Sequence, residues 1–237
     1  MKTLLLLLAL AISQPTYAKG KAKAKIKIDT TPNPLEDVWT GTFELDYYHI
    51  TNTDNPATTV YGNPTLDYSG KEGWDIQLLS YNMDIAGGGA QNYESDTYIN
   101  LSKTVYLPKG LQVVLGTQSG FALSGQSHTL HNVEYGLIGY QPNSHYNIHA
   151  GSYWVNKALS TTTDVYGFTG GFSLEVVPQL LSLRADYFSG NNNLSGANVN
   201  SWFRTSKLTQ LYFGVSVPET NSGNEFARVV GFQVTSK

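Results

Sequence analysis

The sequence predicts an all-β fold, an antiparallel up-and-down β-barrel of about 10–12 strands over residues 38–237. From residue 38 onward, short segments carry an apolar residue at every second position, which is the period of a strand with one apolar face. Tight turns alternate with longer loops rich in Gly, Asn and Ser. The chain has 23 Gly, 16 Tyr and only 14% charged residues, against about 25% in an ordinary soluble domain.

The N-terminal segment predicts export. Residues 1–18 have the form of a secretory signal peptide, with Lys2 before an apolar run and the small residues Thr16 and Ala18 before a cleavage site. The run is shorter than the roughly 20 apolar residues that cross a bilayer as a helix, so any membrane residence requires strands. Residues 19–37, with alternating Lys in the first half, predict a flexible periplasmic lead, either a solvated tail or a contact with anionic lipid or cell wall.

The alternation predicts strands of the length needed to cross a bilayer at a tilt, about 9–11 residues. Eleven such segments are expected, at residues 38–50, 58–68, 74–83, 96–107, 111–122, 131–140, 145–156, 164–177, 180–189, 202–217 and 225–234. The count is odd, whereas single-chain bacterial barrels close with an even number. A twelfth strand is therefore missing from this set, with residues 25–30 as one candidate, or one segment is not part of the wall.

The lengths of the connections predict the topology. Tight turns are expected near residues 70–72, 108–110, 141–144 and 178–179, and the loops between the other strands are longer. Bacterial barrels place short turns in the periplasm and long loops outside, so the Gly/Asn-rich loop at residues 190–196 is expected at the exterior. With eleven strands the last one runs outward and leaves Lys237 outside.

Face parity predicts the register of two hairpins, because outward residues must oppose outward residues. In the first hairpin Leu107 opposes Leu111. The second places Leu174 against Leu183 and pairs a glycine with an aromatic ring at Gly170 and Tyr187, in the manner of aromatic cover of a strand glycine.

The chain resembles bacterial outer-membrane β-barrels of the small, porin-like kind. The likeness is architectural, spans residues 38–234, and includes an aromatic residue near the C-terminus, Phe232. It implies an apolar face toward lipid, a polar lumen, residence in the cell outer membrane, and small hydrophilic solutes as partners. The alternation alone is equally compatible with the inverse arrangement, a soluble barrel with a dry centre, so the choice depends on the export signal and on size.

Parity then assigns side chains to the two faces. Phe43, Leu101, Val133, Leu137 and Leu183 are among those expected to face lipid. The residues expected to line the pore are Glu44, Asp46, Asp75, Glu134, His149, Glu175, Arg184, Asp186 and Arg204.

This lumen predicts a narrow, mildly cation-preferring channel, since acidic and basic groups that face each other across a bore orient small polar solutes. The alternative is a non-transporting barrel with a structural or surface-binding role through its long Gly/Asn loops. We expect no enzyme activity, because His149 and Ser152 lie on opposite faces of one strand and cannot form a nucleophile and base pair. We also expect no cofactor and no nucleic-acid partner.

A metal site is not expected at His128, His131 and Glu134. Their three-residue spacing gathers ligands on one face of a helix but scatters them along a strand. Parity places Asp67 directly opposite Asp75 across the turn at residues 70–72. Because two like charges in this position destabilise the pair, either a cation is bound between them or the predicted register is wrong by two residues.

Two lysines conflict with the assigned outer face. Lys103 and Lys207 fall on it, where a midplane lysine costs roughly 2–4 kcal/mol and one near the interface costs almost nothing. A bulge near Ser206 would relieve the second conflict.

Overall fold

The computed structural model describes residues 37–50, 57–81, 83–86, 96–122, 130–160, 164–220, 222 and 226–236. The predicted signal peptide at residues 1–18 lies outside the described residues, as does the lead at residues 19–37 except for Asp37. His128 also lies outside them, as do Lys237 and most of the loop around residues 86–90.

Thirteen strands account for most of the described chain, and they carry the alternation expected from the sequence. They are β1 Val38–Ile50, β2 Ala57–Ser69, β3 Trp74–Tyr81, β4 Met83–Ala86, β5 Asp96–Tyr106, β6 Leu111–Ala122, β7 Leu130–Asn143, β8 Tyr146–Val155, β9 Tyr166–Val177, β10 Leu181–Phe188, β11 Gly196–Arg204, β12 Thr209–Pro218 and β13 Ala227–Thr235. Two short 3-10 turns, at Pro108–Gly110 and Lys157–Leu159, are the helical segments of the described chain.

The sheet closes on itself. Each strand pairs antiparallel with its neighbours, and β1 pairs with β13 on one side and with β2 on the other. Strands β3 and β4 both pair with β2 and follow one another in the same wall position, so thirteen strands form a ring of twelve. The predicted all-β, antiparallel, up-and-down barrel is confirmed.

The twelfth wall strand is β11. Residues 190–201 were expected to be loop and residues 202–217 to be one strand, but the structure places a turn at residues 205–208 between β11 and β12. The hydroxyl of Thr209 lies 2.7 Å from those of Thr205 and Ser206, and the Ser206 hydroxyl accepts from the Leu208 and Thr209 amides. Lys207 therefore lies in an exposed turn, not within a strand.

The even count corrects the predicted position of the C-terminus. Strand β13 runs back toward the end where β1 begins, and Ser236 exchanges hydrogen bonds with Gly41 there. This end also holds the short turns after β2, β5, β7, β9 and β11. Both ends of the described chain thus lie at the short-turn end, and the expectation that the last strand runs outward is wrong.

Both predicted hairpin registers are confirmed. Leu107 lies opposite Leu111, and its backbone N–H donates to the Leu111 carbonyl at 2.8 Å. In the second hairpin Leu174 pairs with Leu183. The one difference is at the second turn, where parity places Val177 opposite Leu180 but the structure pairs Val177 with Leu181 because of a bulge after Leu181. The predicted opposition of Asp67 and Asp75 is wrong, because Asp67 pairs with Gln77. The register between β2 and β3 therefore differs from the prediction by two residues, which was one of the two explanations considered.

The outer face is apolar, as predicted. Phe43, Leu78 and Ile99 are 43%, 50% and 57% exposed, whereas their strand neighbours Asn100 and Gln77 are buried inside the barrel. This arrangement exposes apolar side chains and buries amide side chains, as in barrels whose outer face contacts lipid.

Lys103 belongs to the outer face and reaches the short-turn end. Its Nζ lies 5.0 Å from the centre of the Trp74 ring and donates to the Glu72 carbonyl at 2.5 Å. The long side chain thereby carries its charge away from the apolar belt.

Strand β7 is inverted relative to the prediction. Val133 and Leu137 are 0% and 2% exposed and face inward, while Glu134 is exposed and pairs with the outward residues Thr117 and Trp154. The predicted inward position of Glu134 is wrong. The physical reason is that the interior is apolar along this part of the wall, so the alternation of β7 places its apolar set inside.

Candidate functional site

A polar cavity occupies the short-turn half of the barrel interior. Its volume is about 750 Å³, and residues of the short turns, including Ser144, His145 and Gln179, line its mouth. Toward the other end it reaches Phe188 and Leu194. This volume lies within the roughly 300–1,000 Å³ typical of small-molecule sites.

One side of the interior, formed by β1, β2 and β3, carries carboxylates. We call Glu44, Asp46, Asp67 and Asp75 the carboxylate wall. Asn63 donates to Asp46 at 2.9 Å, and Gln233 on β13 donates to Glu44 at 2.7 Å. These amides hold the carboxylates in place without changing the net charge of the wall.

The opposite side is mixed in charge. In a ring of twelve strands, β8, β9 and β10 lie across from β1, β2 and β3. Here two histidines face two carboxylates: His145 contacts Glu175, and His149 Nε2 lies 3.4 Å from Asp186 Oδ1. The backbone N–H of Gln179 also donates to Glu175.

Two arginines add positive charge to this side. Arg184 lies over the Trp202 ring at 4.4 Å, and Trp202 in turn stacks on Tyr212 with ring centres 4.1 Å apart. Arg204 lines the cavity near its mouth. Because the guanidinium of Arg184 is held flat against an aromatic face, it is oriented within the lumen.

Eight of the nine residues predicted to line the pore face the interior. The cavity brings together Glu44, His149, Glu175, Arg184, Asp186 and Arg204, while Asp46 and Asp75 lie on the same inner face beyond its lining, and Glu134 points outward.

Two further polar residues of the cavity, Gln77 and Asn147, are 4% and 3% exposed. Parity along the sequence places both on the inner face, since each lies two residues from a predicted pore-lining residue.

Apolar side chains fill much of the other half of the interior. Val133, Tyr135, Val155, Leu159 and Leu194 belong to one buried apolar cluster that fills the barrel beside β6, β7 and β8. Leu159 and Leu194 come from the longer loops, which fold into the barrel. The cavity therefore lies on the side between β1–β3 and β8–β11.

The loop at residues 189–195 is folded inward, contrary to the expectation that it faces the exterior. Asn192 and Ser195 are fully buried, and Leu194 is 3% exposed. The Asn192 side chain accepts from the Leu194 amide at 2.9 Å and donates to the Tyr153 hydroxyl at 3.1 Å. The Asn193 amide donates to the Leu159 carbonyl at 2.9 Å, which ties the two inward loops together.

Tyrosine rings cover inward glycines across neighbouring strands. A Cβ at Gly116 would overlap the ring of Tyr135, its partner in register, and the same holds for Gly167 and Tyr153. Glycine is needed at these positions because the ring occupies the space of a side chain. The predicted cover of Gly170 by Tyr187 is not seen, since the closest neighbours of a Cβ there are His149 and Ala150.

The histidines have structural contacts. His131 Nδ1 lies 2.9 Å from the Tyr98 hydroxyl inside the barrel, and His149 faces the lumen while Ser152 is exposed on the outer face. Within the described residues, no three His, Cys, Asp or Glu side chains are grouped so that they could hold a metal ion. None of the described helices is long and apolar enough to cross a membrane.

Comparison with solved structures identifies the fold. The KdgM porin, in complex with disordered oligogalacturonate, matches with a TM-score of 0.56 and 11% identity over 82% of this chain and 99% of its own. The NanC porin matches with a TM-score of 0.56 and 10% identity over 81% and 98%. This chain has the barrel fold of these outer-membrane porins.

An enzyme also has a similar barrel fold. The outer membrane phospholipase of Salmonella typhi, a dimer with bound calcium, matches with a TM-score of 0.54 and 13% identity over 89% of this chain and 94% of its own. No protein-family model matches the sequence, and no curated protein does. At these identities the likeness defines the fold, and function has to be argued from the site.

Proposed function

We propose that this chain is an outer-membrane channel through which small hydrophilic solutes or ions pass. The observation that carries the proposal is a polar cavity, open at the short-turn end, inside a closed barrel whose outer face is apolar. A lipid surround stabilises such an outer face, and a water-filled bore stabilises such an inner one. Export by residues 1–18 is part of the same proposal.

A carbohydrate is the first solute class to test. The similar KdgM porin was solved with oligogalacturonate. The cavity of this chain presents hydroxyl and amide groups, such as Thr42, Thr65 and Gln77, which exchange hydrogen bonds with sugar hydroxyls.

We further propose that the chain is not an enzyme, although a phospholipase shares its fold. Acyl hydrolysis by a serine needs a histidine within hydrogen-bond reach. Ser152 and His149 lie on opposite sides of the wall, and His145 and His149 contact carboxylates.

A non-transporting barrel that binds partners at its surface is the second candidate. The burial of residues 192–195 argues against a binding surface made from that loop, since their side chains are engaged inside the barrel.

Planar-bilayer recording with the purified, folded protein separates the two candidates. We expect discrete current steps after addition of the protein, and none from the same preparation after heat denaturation. A folded barrel that inserts without any current above background would contradict the channel and favour the structural role.

A further inference from the structure

The outer face of the barrel is most uneven around β7, β8 and β9. The four most exposed of the described large apolar side chains lie on these strands or on the adjacent β6: Tyr166 and Phe168, each 73% exposed, Ile138 at 64% and Leu115 at 62%. They protrude because small residues lie beside them. Gly136 pairs with Leu115, and Ser152 lies between Gly136 and Phe168 in the same row of the sheet.

A groove runs between these protruding side chains, over the small residues. Its volume is about 950 Å³, and the outward residues that line it include Leu115, Gly136, Ser152 and Phe168. A cavity of roughly 150 Å³ already accepts benzene, so the groove has room for an aromatic side chain of another molecule. As between membrane helices, small residues at such a surface let a neighbouring chain approach closely.

The same face carries a carboxylate and a phenol hydroxyl that lack partners. Glu134 on β7 and Tyr166 on β9 both point outward, and neither side chain makes a hydrogen bond or ion pair within the part of the chain that the structure describes. Trp154 on β8 lies between them, because it pairs with Glu134 on one side and with Tyr166 on the other. The acceptor and the donor therefore flank β8 symmetrically.

Glu134 lies within the apolar outer surface and not at its edge. Leu115 and Ile138 are nearer the short-turn end of the same two strands, Phe121 and Leu130 are nearer the long-loop end, and all four are exposed. A charged side chain in contact with lipid costs free energy that depends on its depth. A hydrogen-bond donor from a neighbouring chain lowers that cost, whereas an acyl chain offers none.

This arrangement is complementary to itself. In one row of the wall β7 provides an acceptor, Glu134, and β9 a donor, Tyr166. In the next row β7 provides a gap, at Gly136, and β9 a projecting ring, Phe168. A twofold axis over β8, parallel to the barrel, places β7 of one copy against β9 of the other. Each contact then occurs twice, as in any interface that uses the same patch on both subunits.

We infer that two copies of this chain pair in the membrane through the outer face of β7, β8 and β9. The Tyr166 hydroxyl of each copy donates to the Glu134 carboxylate of the other, and each Phe168 ring enters the groove over Gly136 and Ser152. Lipid chains can fill the groove but cannot donate to the carboxylate, whereas a second copy does both. This inference goes beyond the proposed channel function and does not depend on whether the lumen conducts.

Thiol cross-linking tests the location of the contact, since the chain has no cysteine of its own. Ser152 lies at the proposed axis, so Ser152→Cys in proteoliposomes should be joined to the same position of a second copy by oxidation or by a short bifunctional thiol reagent. The control is Leu45→Cys, an outward position on β1 at the opposite side of the ring. Cross-linking at Ser152→Cys that is no greater than at Leu45→Cys would overturn the inference.

The dissociation constant of the dimer, measured by sedimentation equilibrium in detergent micelles, tests the projecting ring. Phe168→Ala should raise it by about 30-fold or more, as expected for an aromatic anchor in a pocket. The control Phe213→Ala, at an outward position of β12 that is 47% exposed, should leave it unchanged. Wild-type protein that stays monomeric at every protein concentration would overturn the inference, as would an equal effect of the two variants.

A double-mutant cycle tests the contact between Tyr166 and Glu134. Tyr166→Phe and Glu134→Leu should each raise the dissociation constant by about tenfold or more, because each leaves one partner of the bond unsatisfied. The double variant should dimerise at least as well as either single variant, since both groups are then apolar. Glu134→Leu should weaken the dimer even though it removes a carboxylate from the outer face of the single barrel. Independent, additive losses would contradict the assigned contact.

Native mass spectrometry of the wild-type protein distinguishes a second copy from lipid in the groove. We expect the mass of two chains, and the mass of one chain for Phe168→Ala. A single wild-type chain that retains phospholipid or lipopolysaccharide, lost in Phe168→Ala, would mean that lipid occupies the groove and would overturn the inference. The absence of current steps in planar bilayers would refute the channel and leave the dimer unaffected.

Discussion

The inward-folded loop at residues 189–195 provides a quantitative prediction, because one apolar side chain, Leu194, adds to the hydrogen bonds of Asn192 and Asn193 that hold it inside the barrel. Leu194 is 3% exposed and packs in the cluster with Val133, Tyr135 and Leu159. Truncation of a buried leucine to alanine costs about 2–5 kcal/mol. In Leu194→Ala this loss falls on the docked state of the loop, whereas the strands on either side keep their hydrogen bonds.

The fraction of molecules with the loop undocked should therefore rise by a factor of about 30 or more, since each 1.4 kcal/mol changes an equilibrium constant tenfold. Limited proteolysis of the folded barrel reports this fraction when opening and closing are fast relative to cleavage. We expect Leu194→Ala to be cut within residues 189–195 at least about 30 times faster than the wild type.

The same change should widen the passage. Leu194 lines the cavity, so its removal and the undocking of the loop are expected to raise the single-channel conductance. Leu208→Ala is the matched control, because Leu208 is 42% exposed in the turn between β11 and β12. If Leu194→Ala resists protease and conducts like Leu208→Ala, the loop is not held by apolar contacts and the reasoning fails.

Two stability predictions follow from side chains whose faces the structure defines. Gly116→Ala should destabilise the barrel by about 1–3 kcal/mol in urea titrations, because the new methyl displaces the Tyr135 ring, whereas the outward Gly136→Ala should be tolerated. Glu134→Leu should stabilise the barrel in lipid by about 1 kcal/mol, since it removes a carboxylate from the outer face. Gln77→Leu should destabilise the barrel, because the Asn100 side chain loses its hydrogen-bond acceptor inside the barrel. Equal unfolding midpoints for Gly116→Ala and Gly136→Ala, or for Glu134→Leu and Gln77→Leu, would contradict the assigned faces.

Much of the fold was predictable because the side-chain period of a strand is two. Parity placed Leu174 against Leu183 and Leu107 against Leu111 without any coordinates. The strand count was wrong at residues 205–208 because that turn contains neither Gly nor Pro. Hydroxyl hydrogen bonds among Thr205, Ser206 and Thr209 form it, and these leave a weak signal in the sequence.

The inversion of β7 has a different cause. Alternation separates two faces of a strand but does not say which one is inside, and the interior was assumed to be polar everywhere. The apolar cluster beside β7 arises from Leu159 and Leu194, which are distant in sequence and reach it only through loop folding. For the same reason the position of Glu134 could not be derived from its own strand.

Cysteine scanning along β1 tests most directly the central claim that the polar face encloses a water-filled lumen and the apolar face contacts lipid. The chain has no native cysteine, so single substitutions can be labelled without background. In proteoliposomes, cysteines at Thr42 and Glu44 should react with a charged, membrane-impermeant thiol reagent, and those at Phe43 and Leu45 should react only with a lipid-soluble one. The reverse pattern, with Phe43 and Leu45 open to the charged reagent and Thr42 and Glu44 protected, would contradict the account.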